Sequence, residues 1–292
     1  MTGGEDAVRV ESLVHVYPDG TRALDGVDLA IRRGERVAIV GQNGSGKTTL
    51  VRHFNGLLRP TDGRVLVDGA DAAGRRVAAL AASVGLAFQD PDRQIFAGKV
   101  RGEVAFGPRN LGRTGLELER AIDEALVATG LDGDAQTNPY DLGYSRRKLL
   151  ALASILAMGT PIVVLDEPTT GQDARGVERI RAIVNELAAD GRTVVAISHD
   201  MRFVAESFER VVVMRDGKIV LDGPPAEVAR PERHLGADLA REDLAVGVLE
   251  READLAGQLG DVATSDGAAV DRDRAGRWSE EAVEVADKGR FA

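Results

Sequence analysis

The sequence predicts an α/β protein whose core is a mostly parallel sheet flanked by helices, and three observations predict it. First, short β-branched runs recur along the 292-residue chain: Arg36–Val40, Ser83–Phe88, Ile162–Leu165 and Thr193–Ile197. Continuous apolar runs of that length suit strands covered on both faces. Second, helical patterns lie between these runs, and strands alternating with helices build parallel sheets. Third, a glycine-rich octad, Gly41–Thr48, stands between the Arg36–Val40 strand and the helical run Thr48–Leu58.

In chain order, Val8–Val16 and Leu24–Ile31 read as antiparallel strands around the turn Tyr17-Pro18-Asp19-Gly20, and Arg64–Asp68 adds a third. From about Val100 to Ser154 no good strand appears, so this stretch reads as a helical insert. Within it Leu118, Ile122, Ala125, Leu126 and Thr129 fall on one face of a helix. Arg175–Ala189 forms another helix, with Gly191 as its C-terminal stop. Beyond Pro224-Pro225 the composition turns to Asp, Glu, Arg, Ala and Gly. Leucine pairs there (Leu235/Leu239, Leu255/Leu259) suggest one or two weak helices, then a disordered end from about Thr264. The organisation expected is a domain over 7–228, carrying a helical subdomain at about 95–157, and an acidic extension over 229–292.

Composition narrows the function classes. Hydrophobic residues at 43% and charged residues at 29% suit a soluble globular chain. Acids outnumber bases 47 to 37, a formal charge of −10, which argues against broad nucleic-acid binding. The absence of cysteine removes thiol nucleophiles, zinc-thiolate sites and iron–sulfur clusters. The four histidines (His15, His53, His199, His234) show no metal-ligand spacing. The acidic opening, Met1–Asp6, does not read as a secretory leader. The apolar stretches are far shorter than the roughly 18 residues of a membrane span, so any role at a membrane is expected through partners.

Two motifs carry chemistry. Gly41-Gln42-Asn43-Gly44-Ser45-Gly46-Lys47-Thr48 fits G-x-x-x-x-G-K-[ST] in the strand–loop–helix setting that motif requires. Its backbone N–H groups and the helix N-terminus would cradle phosphates, with Asn43, Gly44, Ser45 and Thr49 in the same loop and first turn. Lys47 would reach the β- and γ-phosphates, and the Thr48 hydroxyl would ligate Mg²⁺. The second motif, Ile162–Glu167, is a hydrophobic strand ending in two carboxylates. At the C-terminal edge of a parallel sheet these meet ligand. Asp166 would hold Mg²⁺ through water, leaving Glu167 to orient or deprotonate an attacking water.

With these motifs in this order, the chain resembles the ATP-binding subunits of ABC transporters over about residues 7–228. The resemblance implies a P-loop ATPase fold with an N-terminal antiparallel β subdomain and a helical subdomain, binding ATP and Mg²⁺. It assigns Gln89 to the loop that senses metal and attacking water, and Asp173 to the loop that contacts an opposing subunit. His199 matches the histidine that meets the γ-phosphate, and Tyr17 the aromatic that stacks on adenine. The segments Phe88–Ala97 and Glu103–Pro108 resemble the ATPases of energy-coupling-factor transporters, which energise uptake of vitamins and of cobalt or nickel ions. There this stretch forms a groove for a helix of the membrane subunit. Ile95, Phe96, Val104 and Phe106 are expected as its apolar floor, with Asp92 and Glu103 open to basic side chains. The resemblance implies a multi-span membrane coupling subunit, a small membrane substrate-binding subunit, a second ABC ATPase, and a place on the cytoplasmic face of the membrane.

One motif departs from the family's pattern. The signature, usually Leu-Ser-Gly-Gly-Gln, is Leu142-Gly143-Tyr144-Ser145-Arg146. Gly143 removes a hydroxyl and Tyr144 puts bulk where glycine permits close approach. Ser145 is expected to cap the following helix. Arg146, Arg147 and Lys148 then crowd a first turn whose dipole disfavours cations by about 0.3–1 kcal/mol each. Arg146 either replaces part of the lost contact with ATP or belongs to a solvated basic face. Complete motifs beside an altered signature fit a heterodimer with a related ATPase or a slower homodimer. The rival readings are the ATPase of another ABC importer class, a nucleotide-binding regulatory subunit with little hydrolysis, and a soluble ABC protein of DNA repair or translation.

Overall fold

Residues 6–228 are described in the computed structural model, and they form two sheets with helices around them. The first sheet holds β1 (Asp6–Val16), β2 (Arg22–Arg32), β4 (Asp62–Val67) and β5 (Ala70–Asp71), ordered β2-β1-β4-β5 and antiparallel throughout. The β1–β2 connection is the expected turn: Gly20 at φ +87° donates to the Tyr17 carbonyl, and the Asp19 carboxylate accepts from Thr21 N–H.

The second sheet is the core. It holds β3 (Arg36–Val40), β6 (Val84–Ala87), β7 (Ile162–Asp166), β8 (Thr193–Ile197), β9 (Arg210–Arg215) and β10 (Lys218–Gly223), ordered β10-β9-β3-β8-β7-β6. All pairs are parallel except β9–β10. Strands β7 and β8 are buried at every residue, which accounts for their unbroken apolar runs. Successive side chains feed two different cores. Val163 and Leu165 join one with the insert helices, whereas Ile162 and Val164 join the other with the antiparallel sheet. Strands β9 and β10 were not expected from the sequence. They are joined by Asp216 and Gly217, both at positive φ, the conformation of a two-residue hairpin turn.

The helices are α1 (Lys47–Phe54), α2 (Val77–Leu80), α3 (Val100–Asn110), α4 (Gly115–Thr129), α5 (Tyr144–Met158), α6 (Ala174–Ala189), α7 (Met201–Ser207) and α8 (Pro225–Val228). The buried face of α4 is the set read from the sequence, Leu118, Ile122, Ala125, Leu126 and Thr129. Helix α1 stops four residues short of the expected Leu58. Asn55 caps it and Gly56 turns to φ +74°, where the chain leaves the helix. Helix α5 is buried almost all round, from Lys148 to Ile155. No helix among the described residues is long and apolar enough to cross a membrane. The expectations for 229–292, including the leucine pairs, lie outside the described residues.

Candidate functional site

In the sheet order β8 lies between β3 and β7, so the octad leaving β3 and the carboxylates ending β7 share one edge of the core. The octad needs its glycines because other backbone runs against it. A Cβ on Gly41 (φ +145°) would stand 2.1 Å from the Met214 carbonyl oxygen, and one on Gly46 (φ +101°) 2.5 Å from that of Ala23. The β9–β10 turn closes the back of the loop, where Gly217 N–H donates to the Ser45 carbonyl at 3.1 Å. Helix α1 starts at Lys47 with Gly46 as its cap and no side-chain capping bond, so its leading N–H groups point toward the loop.

Lys47 is buried, and its Nζ donates to the carbonyls of Gly41 at 2.6 Å and Gln42 at 2.8 Å. Burial pushes this ammonium below the usual lysine range, against the pull of Glu167 and Asp166. Thr48 Oγ1 donates to Asp166 Oδ2 at 3.2 Å. Burial raises the Asp166 carboxyl above its usual range, offset by the Thr48 bond and by Arg52, Lys47 and Lys148. A hydroxyl and a carboxylate so placed are hard oxygen donors. Among the described residues no three His, Asp or Glu cluster to hold a metal by themselves. The donor set therefore fits Mg²⁺, which binds through one or two protein oxygens and completes its shell with substrate phosphates and water.

Glu167 follows at φ +52°, a left-handed conformation rare outside glycine. Its N–H still donates to the Ile197 carbonyl at 2.9 Å, extending the β7–β8 ladder by one rung. The carboxylate turns to His199: Oε1 lies 3.0 Å from Nε2, and Oε2 accepts from the His199 N–H at 3.3 Å. Burial raises the Glu167 carboxyl, and the His199 hydrogen bond opposes that rise. A carboxylate with elevated proton affinity, held by an imidazole beside a phosphate loop, has the chemistry of a general base.

The other expected residues are placed as follows. Tyr17 is half-buried; its hydroxyl lies 3.0 Å from Thr49 Oγ1 and its ring meets His15 edge-on at 4.7 Å. Behind it His15 Nδ1 lies 3.2 Å from His53 Nε2, and His53 Nδ1 donates to the Thr49 carbonyl at 2.7 Å. Gln89 sits in an exposed bend two residues beyond β6 rather than at the strand's end. Its side chain makes no hydrogen bond to Thr48 or Asp166 among the described residues. Asp173 caps α6, accepting from Gly176 N–H at 2.7 Å.

The signature segment differs from expectation in one respect. Helix α5 begins at Tyr144 with Gly143 as its cap, so Ser145 is not the N-cap. Its hydroxyl instead donates to Gln172 Oε1 at 2.7 Å, and Gln172 Nε2 donates back to the Ser145 carbonyl at 3.0 Å. The tertiary partner outcompetes the local cap, and the cap lies two residues earlier, at Gly143. The basic triplet is also accounted for. Arg146 pairs with Asp134 and bonds the Gly130 carbonyl, and Arg147 pairs with Asp92 at 2.9 Å. Lys148 is buried, its Nζ donating to the carbonyls of Glu167 and, at 3.0 Å, Thr170. Neither Lys148 nor Gln172 belongs to a motif that marks it as functional. The available signal was a lysine opening the apolar run Leu149–Ala153, where a solvated cation has no place.

The expected groove is only partly as read. Phe96 and Phe106 are exposed, 58% and 48%, and stack edge-to-face at 4.5 Å. Ile95 and Val104 are core residues at 3% and 0% exposure. Glu103 is also buried, because its Oε2 accepts from the N–H groups of Phe96 (3.0 Å) and Ala97 (2.7 Å), and Asp92 is engaged by Arg147. Glu103 is thus closed off, against expectation, whereas Asp92 is exposed as expected but already paired with Arg147.

A phosphate-binding loop and a carboxylate-tipped strand at one edge of a parallel sheet, with a helical insert, define a P-loop ATPase of the ABC class. The family model described as ABC transporter matches residues 24–170. An energy-coupling factor transporter ATP-binding protein, EcfA, of Methanothermobacter thermautotrophicus is 41% identical over 86% of this chain and 79% of its own. Its counterpart in Methanocaldococcus jannaschii is 43% identical over 76% and 80%. The solved structure of cbiO1 from Clostridium perfringens, part of the ABC transporter complex cbiONQ, matches with a TM-score of 0.69 at 37% identity, covering 77% of this chain and 90% of that one. The chain belongs to the ABC transporter family as an ATP-binding subunit of the energy-coupling-factor type. It spans about two-fifths of the length of two other curated relatives, putative ABC transporter ATP-binding proteins of Caldanaerobacter subterraneus and Methanosarcina acetivorans, to which it is 44% identical.

Proposed function

We propose that this chain hydrolyses ATP in a head-to-tail pair of ABC ATPases and thereby drives an energy-coupling-factor importer for a vitamin or a transition-metal ion. The observation that carries the reading is the Glu167–His199 pair at 3.0 Å, set beside the Thr48–Asp166 contact. The loop Gly41–Thr48 grips the triphosphate, Lys47 turns from the Gly41 and Gln42 carbonyls to the β- and γ-phosphates, and Tyr17 stacks on adenine. Thr48 and Asp166 would hold Mg²⁺, with Gln89 as a further oxygen donor from its bend, and the ion when bound would supply neutralising charge at the phosphate oxygens. Glu167 takes a proton from the attacking water, and His199 steadies Glu167 and the γ-phosphate. Gly143, Tyr144, Ser145 and Arg146 face the partner's nucleotide, and Asp173 lies at the dimer contact.

Work on the membrane follows from the partners: a multi-span coupling subunit and a small substrate-binding membrane subunit, reached from the cytoplasmic face. The exposed Phe96–Phe106 pair is the apolar surface available to a helix of the coupling subunit. A second reading, a nucleotide-binding subunit with little turnover, is favoured by Tyr144, whose hydroxyl bonds the Gln89 carbonyl at 3.4 Å and stiffens the altered signature. Glu167→Gln separates the two. The hydrolytic reading expects the variant to bind Mg-ATP like the parent, to lose turnover at least about 100-fold and to accumulate as closed dimer. Unchanged phosphate release would refute it.

A further inference from the structure

Like Lys47, Lys148 is a buried cation, only 7% exposed, whose hydrogen bonds go to backbone rather than to a carboxylate, but it lies outside the phosphate loop. Its two acceptors are not arbitrary. One is the carbonyl of Glu167, the residue held at φ +52°; the other is the carbonyl of Thr170, which closes the turn after it through Thr170 N–H to Glu167 O at 3.4 Å. The lysine therefore grips both ends of the turn that aims the catalytic carboxylate. A left-handed non-glycine residue persists only where its surroundings hold it there, and a charged donor on its own carbonyl is such a restraint.

The helix that supplies this ammonium is the one that opens with the altered signature. Its N-terminus is joined to the same loop at two more points. Ser145 and Gln172 exchange hydrogen bonds at 2.7 and 3.0 Å, and the Tyr144 ring packs so closely on Gly171 that a Cβ there would stand 2.9 Å from it. Residues 144–148 and 167–172 thus form one interlocked unit. A shift of α5 that moved the signature segment would pull on the Glu167 peptide through Lys148.

We propose that Lys148 is a positioning residue for hydrolysis: it fixes the backbone of Glu167 and ties the aim of that carboxylate to the position of this chain's own signature helix. This rests on the reading of Glu167 as the base. It adds a link within one subunit, where the signature acts on the nucleotide of the opposing one.

The test uses the full chain with whatever subunits co-purify, comparing Lys148→Met, Lys148→Arg and Glu167→Gln. Steady-state ATP turnover, affinity for a fluorescent ATP analogue with Mg²⁺, and melting temperature are read for each. Lys148→Met should lower kcat about 10- to 100-fold, the cost of a misaimed group, with KM and nucleotide affinity within about twofold. Lys148→Arg, which can still donate to both carbonyls, should recover most of the turnover. In the Glu167→Gln background Lys148→Met should cost nothing further, since the residue acts through Glu167. If Lys148→Met does not fold, Lys148→Gln carries the same comparison. Wild-type kcat in Lys148→Met, or equal losses in the Met and Arg variants together with melting temperature and affinity, would overturn the inference. Full turnover in Glu167→Gln itself would instead sink the underlying assignment of the base.

Discussion

Glu103 offers a quantitative check on how the Phe96–Phe106 surface is built. One oxygen of this buried carboxylate accepts from two successive backbone amides, Phe96 at 3.0 Å and Ala97 at 2.7 Å, so it pins the loop that carries Phe96 to helix α3. Hydrogen bonds to a charged group are worth about 1.5–3 kcal/mol each. Glu103→Gln keeps the shape and an acceptor but loses the charge, and should cost about 1–2 kcal/mol. Glu103→Leu leaves both amides without a partner; because the loop lies partly open to water, the cost should stay at about 2–4 kcal/mol. With a urea m-value near 3 kcal/mol/M, Glu103→Gln should lower the unfolding midpoint by about 0.5 M at constant m, and Glu103→Leu by about 1 M. Affinity for Mg-ATP should not change in either, because the carboxylate is no part of the phosphate loop. A midpoint within about 0.1 M of the parent for both variants would refute the pinning, and Glu103 would then be a dispensable buried acid.

Two further outcomes are expected. Burial lowers the His53 pKa below its usual 6.5, the facing His15 acts in the same direction, and the Thr49 and Arg59 carbonyls favour the protonated ring. Its folded pKa lies below the unfolded one, so the unfolded chain takes up the proton first. Stability is retained above about pH 6.5 and lost as pH falls below it, at up to about 1.4 kcal/mol per pH unit. His53→Gln should flatten that slope in urea titrations between pH 7 and pH 5 (about the range where His titrates), and an unaltered slope would exclude His53 as its source. For the nucleotide base, Tyr17→Phe should bind ATP within about twofold of the parent, while Tyr17→Ala should weaken binding by about 1–3 kcal/mol. Equal losses in both would mean that the hydroxyl bond to Thr49, not the ring, does the work.

The sequence alone determined the elements whose signals are local. The apolar runs of β3, β7 and β8 mark strands buried on both faces, the spacing in α4 marks its inner side, and Gly41–Thr48 is legible because backbone geometry allows little besides glycine there. The Ile162–Glu167 strand end announced the two carboxylates for the same reason. Tertiary structure decided what depends on a partner distant in the chain. It made Ser145 a donor to Gln172 rather than a cap, turned Glu103 of α3 inward to amides of the loop before that helix, and divided four similar hydrophobics into core (Ile95, Val104) and surface (Phe96, Phe106). It also carried the Lys148 ammonium onto the Glu167 peptide, 19 residues away. Periodicity reports which side of an element is wet, but a polar side chain chooses among donors and acceptors that only the assembled fold brings within 3 Å or so.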